Sequence, residues 1–182
     1  ERKSLIPRNE LVAIVRDFNA ELELSDLSKQ NIESLVNDNT FTVTTGQQIG
    51  LFGGYLYTLY KIVTTIKLAK ELSEKHQKKV VPIFWVADED HDFDEANHVT
   101  VIKNDSSAET ISIKRPSDLN QQVGRELINV DIEEQITHFF EASGSSQFSD
   151  ELKNWLREDF NPKNTQKSAF LTFLNRLFGK YG

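Results

Sequence analysis

The residues with the clearest chemical potential lie in one short stretch, Asp88–Glu95, which we call the acidic loop. Six of its eight residues are carboxylic acids and one is a histidine. A carboxylate beside an imidazole can hold its tautomer and raise its basicity. We therefore expect Asp90, His91 and Asp92 to form an acid–base group that deprotonates an amine and orients a substrate.

Two other interpretations of the acidic loop stay open. Neutral imidazole and carboxylate groups also bind Zn²⁺ or Mn²⁺, so Asp90, His91 and His98 are an alternative metal-binding set. The loop can also be a solvated segment in which Asp92 or Asp94 only caps the helix that follows. We favour catalysis or substrate binding without a metal, because of where the acidic loop lies in the predicted fold.

A second stretch, Gly46–Gly54, contains four of the eight glycines of the chain, and we call it the glycine turn. Glycine allows positive φ angles and the close approach of a ligand, although a tight turn can need glycine for steric reasons alone. A glycine-rich turn that leads into a helix offers free amides to an anion. Its spacing is neither that of a Walker loop nor that of a dinucleotide-binding turn. The candidate substrate-binding residues are Gln47, Gln48, Gly53, Gly54, Tyr57 and Lys61.

Two predicted strands position these stretches. Phe41–Thr45 is rich in β-branched and aromatic residues, and Val80–Ala87 is a nearly continuous apolar run that predicts a buried strand with Trp85 in the core. Apolar residues at helical spacing fill the chain from Leu56 to about Gln77, so the three elements predict a βαβ unit. The glycine turn and the acidic loop each follow a strand, and we expect them to converge at one sheet edge.

The remaining elements predict an α/β protein. The chain begins with a helical lead-in, residues 1–40, and continues as one core domain, residues 41–182. Short strands are predicted at Val99–Lys103 and Thr110–Lys114 around a turn. The C-terminal helices are predicted at Asp131–Ala142, Ser149–Phe160 and Gln166–Phe178.

Composition narrows the choice of partners. A net charge of −7 disfavours nucleic acids and anionic membranes, and no apolar run approaches the roughly 20 residues of a membrane span. The absence of cysteine excludes disulfides and thiolate–metal sites and fits a cytoplasmic protein. The chain does not begin with methionine, so we expect a piece of a larger protein.

Thr45–Lys61 and Pro82–His98 together resemble the bacillithiol biosynthesis cysteine-adding enzymes, a family of cysteine ligases (BshC). The resemblance is clearest over Thr42–Val101. It implies an incomplete Rossmann-like parallel-sheet core and the joining of cysteine to glucosaminyl malate. Two residues depart from the family pattern, because Tyr55 stands where proline is expected and Asp88 where a small residue is expected.

The resemblance also sets expectations for the whole enzyme. Family members continue through more of the core and a C-terminal coiled coil, so a homodimer is expected only for the full-length protein. The chain alone is expected to be inactive. The cofactor is unknown, and ATP or another nucleotide is suggested only by fold analogy. The alternative function is a non-catalytic Rossmann-like module that binds a nucleotide or a sugar anion.

Overall fold

A computed structural model describes residues 7–116 and 121–182. The first six residues of the predicted lead-in, and residues 117–120 of the predicted core domain, lie outside this part of the chain. The chain divides into two compact units. The first comprises residues 1–46, 60–85 and 174–182, and the second comprises residues 47–59 and 86–173.

The first unit contains the helical lead-in. Helix α1 spans Arg8–Phe18 and helix α2 spans Asp26–Ser34. Helix α2 begins after Ser25, whose hydroxyl accepts a hydrogen bond from a backbone amide of the first turn. The small core of this unit consists of Val12, Leu35 and Val81, with Val15, Ile32 and Ile83 packed against them.

The predicted βαβ unit is present. Strand β1 spans Thr40–Gln48, helix α3 spans Leu56–His76 and strand β2 spans Lys79–Ala87. Strands β1 and β2 pair in a two-stranded parallel sheet. The prediction of an incomplete α/β core with a parallel sheet is therefore confirmed.

The prediction that Trp85 is a core residue is wrong. Its side chain is 55% exposed, whereas the next residue, Val86, is buried. Successive side chains of a strand point to opposite faces, so Trp85 shares its face with Val81, which is buried in the core of the first unit. This face is therefore covered near the start of the strand and open at Trp85. The indole ring lies over Gly46, where an added Cβ would be only 2.2 Å from the indole nitrogen. Gly46 is therefore required for this contact inside the first unit.

The second unit contains a β-hairpin and helices. A short 3₁₀-helix, Leu51–Gly53, follows β1, and helix α4 spans Phe93–Ala96. Strands β3, His98–Ile102, and β4, Ala108–Ser112, pair antiparallel with His98 opposite Ser112. The later helices are α5, Ile132–Ser143; α6, Ser149–Asp159; and α7, Gln166–Phe178, whose last turns belong to the first unit. These positions confirm the predicted hairpin and C-terminal helices.

Phenylalanine rings form the core of the second unit. Phe52 of the 3₁₀-helix contacts Phe139 and Phe160 edge-to-face, with each pair of ring centroids 5.4 Å apart. Phe160 contacts Phe173 in the same way at 6.0 Å. Edge-to-face pairs add to the free energy gained by burying the rings. These contacts hold the end of the glycine turn against the C-terminal helices.

Among the described residues, no helix combines the length and the apolar character that crossing a bilayer requires.

Candidate functional site

A cavity of about 240 Å³ lies within the second unit. Its walls come from the glycine turn and the start of α3, from the acidic loop, and from His98 and Val123. The structure thus brings together the two stretches that the sequence analysis singled out. We call this cavity the pocket.

The glycine turn has its shape because two of its glycines touch. A Cβ added at Gly50 would lie 2.6 Å from the Cα of Gly54, which is too close for any side chain. Gly54 has a φ angle of 75°, and Gly53 has a φ angle of 96°. Both angles lie in the region that glycine tolerates best. Gly54 lines the pocket, whereas the side of Gly53 that would carry a Cβ faces the Phe173 ring.

Gln48 and Asp90 join the two walls of the pocket. The Gln48 side-chain amide donates a hydrogen bond to one carboxylate oxygen of Asp90, and the backbone amide of Asp92 donates to the other at 3.0 Å. These bonds hold the pKa of Asp90 below its usual value, with the Asp92 amide as the larger cause. Asp90 is therefore an anion at neutral pH, suited to binding a cationic group.

Asp92 has the capping role that one of the open interpretations predicted. It is the N-cap of α4, and its carboxylate accepts a hydrogen bond from the backbone amide of Glu95 at 3.3 Å. Asp92 also lines the pocket. Its side chain is thus available to a ligand while it fixes the end of the acidic loop.

His91 is exposed and is not part of the pocket lining. Its backbone oxygen accepts hydrogen bonds from the Phe93 amide at 3.0 Å and from the Arg115 guanidinium at 3.4 Å. The structure therefore places the backbone of His91 in the frame of the loop and its imidazole outside the pocket.

The histidine that lines the pocket is His98. Its Nδ1 lies 2.9 Å from the backbone oxygen of Asp94, and its Nε2 lies 3.2 Å from the hydroxyl of Tyr55. A carbonyl oxygen can only accept, so we assign the imidazole proton to Nδ1. Nε2 then accepts a hydrogen bond from the Tyr55 hydroxyl or from a ligand.

Among residues 7–116 and 121–182, no three His, Asp or Glu side chains are arranged to hold one metal ion. The structure thus does not assemble the alternative set of Asp90, His91 and His98.

The other predicted binding residues divide between the two units. Gln47 and Tyr57 line the pocket, and the Gln47 amide donates to the Tyr57 hydroxyl at 3.3 Å. Tyr57 stacks on Tyr55 with the rings 5.5 Å apart. Lys61 belongs to the first unit, where its ammonium group donates to the backbone oxygen of Gly46 at 2.8 Å.

Sequence reasoning missed several residues of the pocket. Thr58 is fully buried, and no residue in the described part of the chain is a partner for its hydroxyl oxygen. Asp88, which the sequence analysis included in the acidic loop without giving it a role, lines the pocket and pairs with Lys167 of α7 at 2.7 Å. No local signal singles out Thr58, because Gly54, four residues earlier, lies before α3 begins at Leu56.

The pocket is strongly acidic. We call its carboxylates the acidic wall, which consists of Asp88, Asp90, Asp92 and Glu95. No lysine or arginine from the described ranges lines the pocket. The arrangement therefore favours a ligand that brings its own positive charge.

Comparison with known proteins identifies the family of this chain. A family model described as the N-terminal Rossmann-like domain of bacillithiol biosynthesis BshC matches residues 1–182. Relatives from Bacillus cereus strain B4264, Bacillus cytotoxicus and Bacillus anthracis, each named "Putative cysteine ligase BshC", are 34% identical over 175 residues. Each alignment covers 96% of this chain and 32% of the relative, so the chain spans about a third of the length of these proteins. The chain belongs to the BshC family of bacillithiol biosynthesis, within which it matches the N-terminal Rossmann-like domain.

Proposed function

We propose that this chain binds the acceptor substrate of a ligase that adds cysteine to glucosaminyl malate in bacillithiol biosynthesis. The proposal rests on the pocket, where the side chain of Gln48 in the glycine turn donates a hydrogen bond to the carboxylate of Asp90 in the acidic loop. Membership of the family supports the reaction class. The substrates themselves are part of our proposal, because the chain spans only about a third of its relatives.

The acceptor matches the pocket group by group. Glucosaminyl malate carries an ammonium group and hydroxyls on its sugar, and two carboxylates on its malate. The acidic wall can bind the ammonium group through charge, and Gln47 and Gln48 can exchange hydrogen bonds with hydroxyl or carboxylate oxygens. Gly53, Gly54 and Tyr57 complete the binding turn. Lys61 contributes indirectly, because its ammonium group donates a hydrogen bond to the backbone oxygen of Gly46 at the start of that turn.

The reaction assigns distinct roles to the acidic loop. Amide formation requires the sugar ammonium group to lose a proton so that its nitrogen can attack an activated carboxyl group of cysteine. The activating group then leaves the carboxyl carbon, and the nitrogen loses a second proton as the amide forms. In our proposal Asp90 orients the ammonium group. Asp92 faces the ligand and also fixes the acidic loop through its cap on α4. His91, whose imidazole is exposed and lies outside the pocket lining, takes up the proton through intervening water. ATP or another nucleotide is the activating cosubstrate that fold analogy suggests.

The remaining expectations concern the whole enzyme. We propose that this chain binds the acceptor but does not ligate it, and that further core strands and the cysteine site lie in the two thirds of its relatives that it does not match. The complete protein is proposed to act as a cytoplasmic homodimer.

Calorimetric titration of this chain with glucosaminyl malate, cysteine and ATP, each alone, tests the proposal. We expect saturable binding of glucosaminyl malate that Gln48→Ala weakens and Gln30→Ala, an exposed change on α2, leaves intact. Undiminished binding by Gln48→Ala would contradict the site.

Ligation is then assayed in the full-length Bacillus cereus relative with the equivalent glutamine changed. A normal ligation rate in that variant would remove the catalytic part of the proposal. Binding of acceptor without any turnover by the unmodified relative would favour the non-catalytic module.

A further inference from the structure

Thr58 carries an unsatisfied hydroxyl at the wall of the pocket. The residue is fully buried, and its Oγ1 has no hydrogen-bond partner within the described ranges of the chain. A buried hydroxyl without a partner costs free energy in the folded state. Such a group is therefore expected to have a use that the ligand-free protein does not show.

Thr58 lies against the glycine turn and lines the pocket. Gly54 also lines the pocket, and a Cβ added there would lie 3.7 Å from the Thr58 hydroxyl oxygen. Gly50 and Gly54 touch through their backbones, so no side chain fills the space between them. The hydroxyl is closed to solvent in the ligand-free protein, so a ligand atom reaches it only when the glycine turn shifts.

The position of Thr58 in its helix indicates what kind of atom it receives. Thr58 lies in the first turn of α3, a helix of 21 residues that begins at Leu56. The backbone amide of Thr58 itself donates to the Tyr55 carbonyl oxygen at 2.8 Å, but the helix dipole places partial positive charge at this end of α3. An anionic oxygen is therefore favoured beside Thr58.

The pocket has a second region with the opposite preference. The acidic wall favours a positive group. A ligand that satisfies both regions must carry a carboxylate and an ammonium group in one molecule.

We infer that the Thr58 hydroxyl and the first turn of α3 form a subsite for a carboxylate oxygen of an amino-sugar acid whose ammonium group lies at the acidic wall. This inference rests on the proposed acceptor site and adds the residue that recognises the acid. Thr58 acts as a hydrogen-bond donor that selects the carboxylated sugar over the plain amino sugar.

The first test is thermal unfolding of the ligand-free protein. Thr58→Val replaces the hydroxyl with a methyl group of similar size and removes an unsatisfied polar atom. We expect the melting temperature to rise by about 2–4 °C. The matched control is Thr65→Val, a buried change on the same helix outside the pocket lining, which is expected to give no comparable rise. A clear fall in Thr58→Val would show an internal role for the hydroxyl and overturn the inference.

The second test compares two ligands by titration calorimetry. Glucosaminyl malate has the ammonium group and the carboxylates, whereas methyl glucosaminide has the ammonium group and no carboxylate. We expect Thr58→Val to weaken glucosaminyl malate about tenfold and methyl glucosaminide less than about twofold. Thr58→Ser keeps the hydroxyl and is expected to retain the wild-type preference.

The outcomes separate this inference from the proposed function. Equal affinity of the wild-type protein for both ligands would overturn the carboxylate subsite and leave the acceptor pocket standing. Equal weakening of both ligands by Thr58→Val, or no weakening of either, would overturn it as well. Failure of the wild-type protein to bind either ligand would overturn both proposals.

Discussion

The side chain of Gln48 donates a hydrogen bond to the carboxylate of Asp90, 42 residues later in the chain. Gln48 ends β1, and Asp90 follows β2, so this bond ties the glycine turn to the acidic loop. It also stabilises the charged form of Asp90 and so helps to hold its pKa down. The same contact therefore sets the shape and the charge of the pocket.

Removal of this bond is predicted to change the titration of Asp90. In Gln48→Leu we expect the pKa of Asp90 to rise toward its ordinary value, because one of the bonds to its charged form is lost. Carboxyl-carbon NMR across an acid titration measures the change. The control is Asp105, which lies outside the pocket. Hydrogen bonds from Ser107 lower the pKa of Asp105, and we expect this pKa to be the same in the wild-type protein and in Gln48→Leu.

The sign of the accompanying stability change follows from linkage. The pKa of Asp90 is lower in the folded than in the unfolded chain, so its stabilising effect is complete above the unfolded pKa of about 3.9. The effect is lost as the pH falls from there through the folded pKa. In Gln48→Leu this acid-sensitive contribution is expected to be smaller. An unchanged Asp90 titration in the variant would contradict the role of Gln48.

Asp92 is predicted to act through its cap as well as its charge. Asp92→Ala removes the acceptor for the Glu95 amide, and we expect a loss of about 0.5–2 kcal/mol in the free energy of unfolding. Asp92→Ser keeps a capping oxygen without the carboxylate and should retain most of that stability. Urea unfolding of the two variants measures the difference. Equal destabilisation by both would mean that the charge, and not the cap, stabilises the loop.

Gly50 is predicted to tolerate no side chain. Gly50→Ala forces a methyl group against the Cα of Gly54, and we expect a loss of about 1–3 kcal/mol and weaker binding of glucosaminyl malate. Gly144→Ala is the control, because Gly144 has a φ angle of 78° and lies outside the pocket lining. Gly144→Ala should lower the free energy of unfolding through backbone strain and leave the binding of glucosaminyl malate intact. Urea unfolding and calorimetry, applied to both variants, separate the two effects.

The buried ion pair between Arg115 and Glu126 is predicted to hold the acidic loop in place. Glu126 is fully buried, and one of its carboxylate oxygens lies 2.7 Å from the Arg115 Nε. The guanidinium also lies over the Phe93 ring at 5.3 Å and contacts the backbone oxygen of His91. Arg115→Met leaves the buried carboxylate without its cation, so we expect a large loss of stability.

Comparison of variants isolates this effect. The double variant Arg115→Met, Glu126→Met should be more stable than Arg115→Met alone, because it removes the uncompensated charge as well. Arg157→Met breaks an exposed pair with Glu133 and should change the urea midpoint little. Hydrogen exchange of the loop amides is expected to accelerate in Arg115→Met only. Equal exchange in Arg115→Met and Arg157→Met would exclude the positioning role.

Local patterns in the sequence were sufficient for most of the elements. The helical period after Leu56 and the β-branched run before Gly46 predicted α3 and β1, because each depends on neighbours a few residues away. The apolar run that ends at Ala87 predicted β2, but not which of its residues are covered. Trp85 is exposed because cover for a strand face comes from other elements, whose positions no local pattern encodes.

The chemistry of the site divides in the same way. Sequence alone identified the glycine turn and the acidic loop, since glycine spacing and charge density are visible in the residues themselves. Only the tertiary structure decided that Gln48 bonds to Asp90, that His98 and not His91 lines the pocket, and that Asp92 is a cap. It alone revealed the buried hydroxyl of Thr58. The physical reason is that burial and hydrogen-bond partners depend on contacts between distant segments, which form only when the chain has folded.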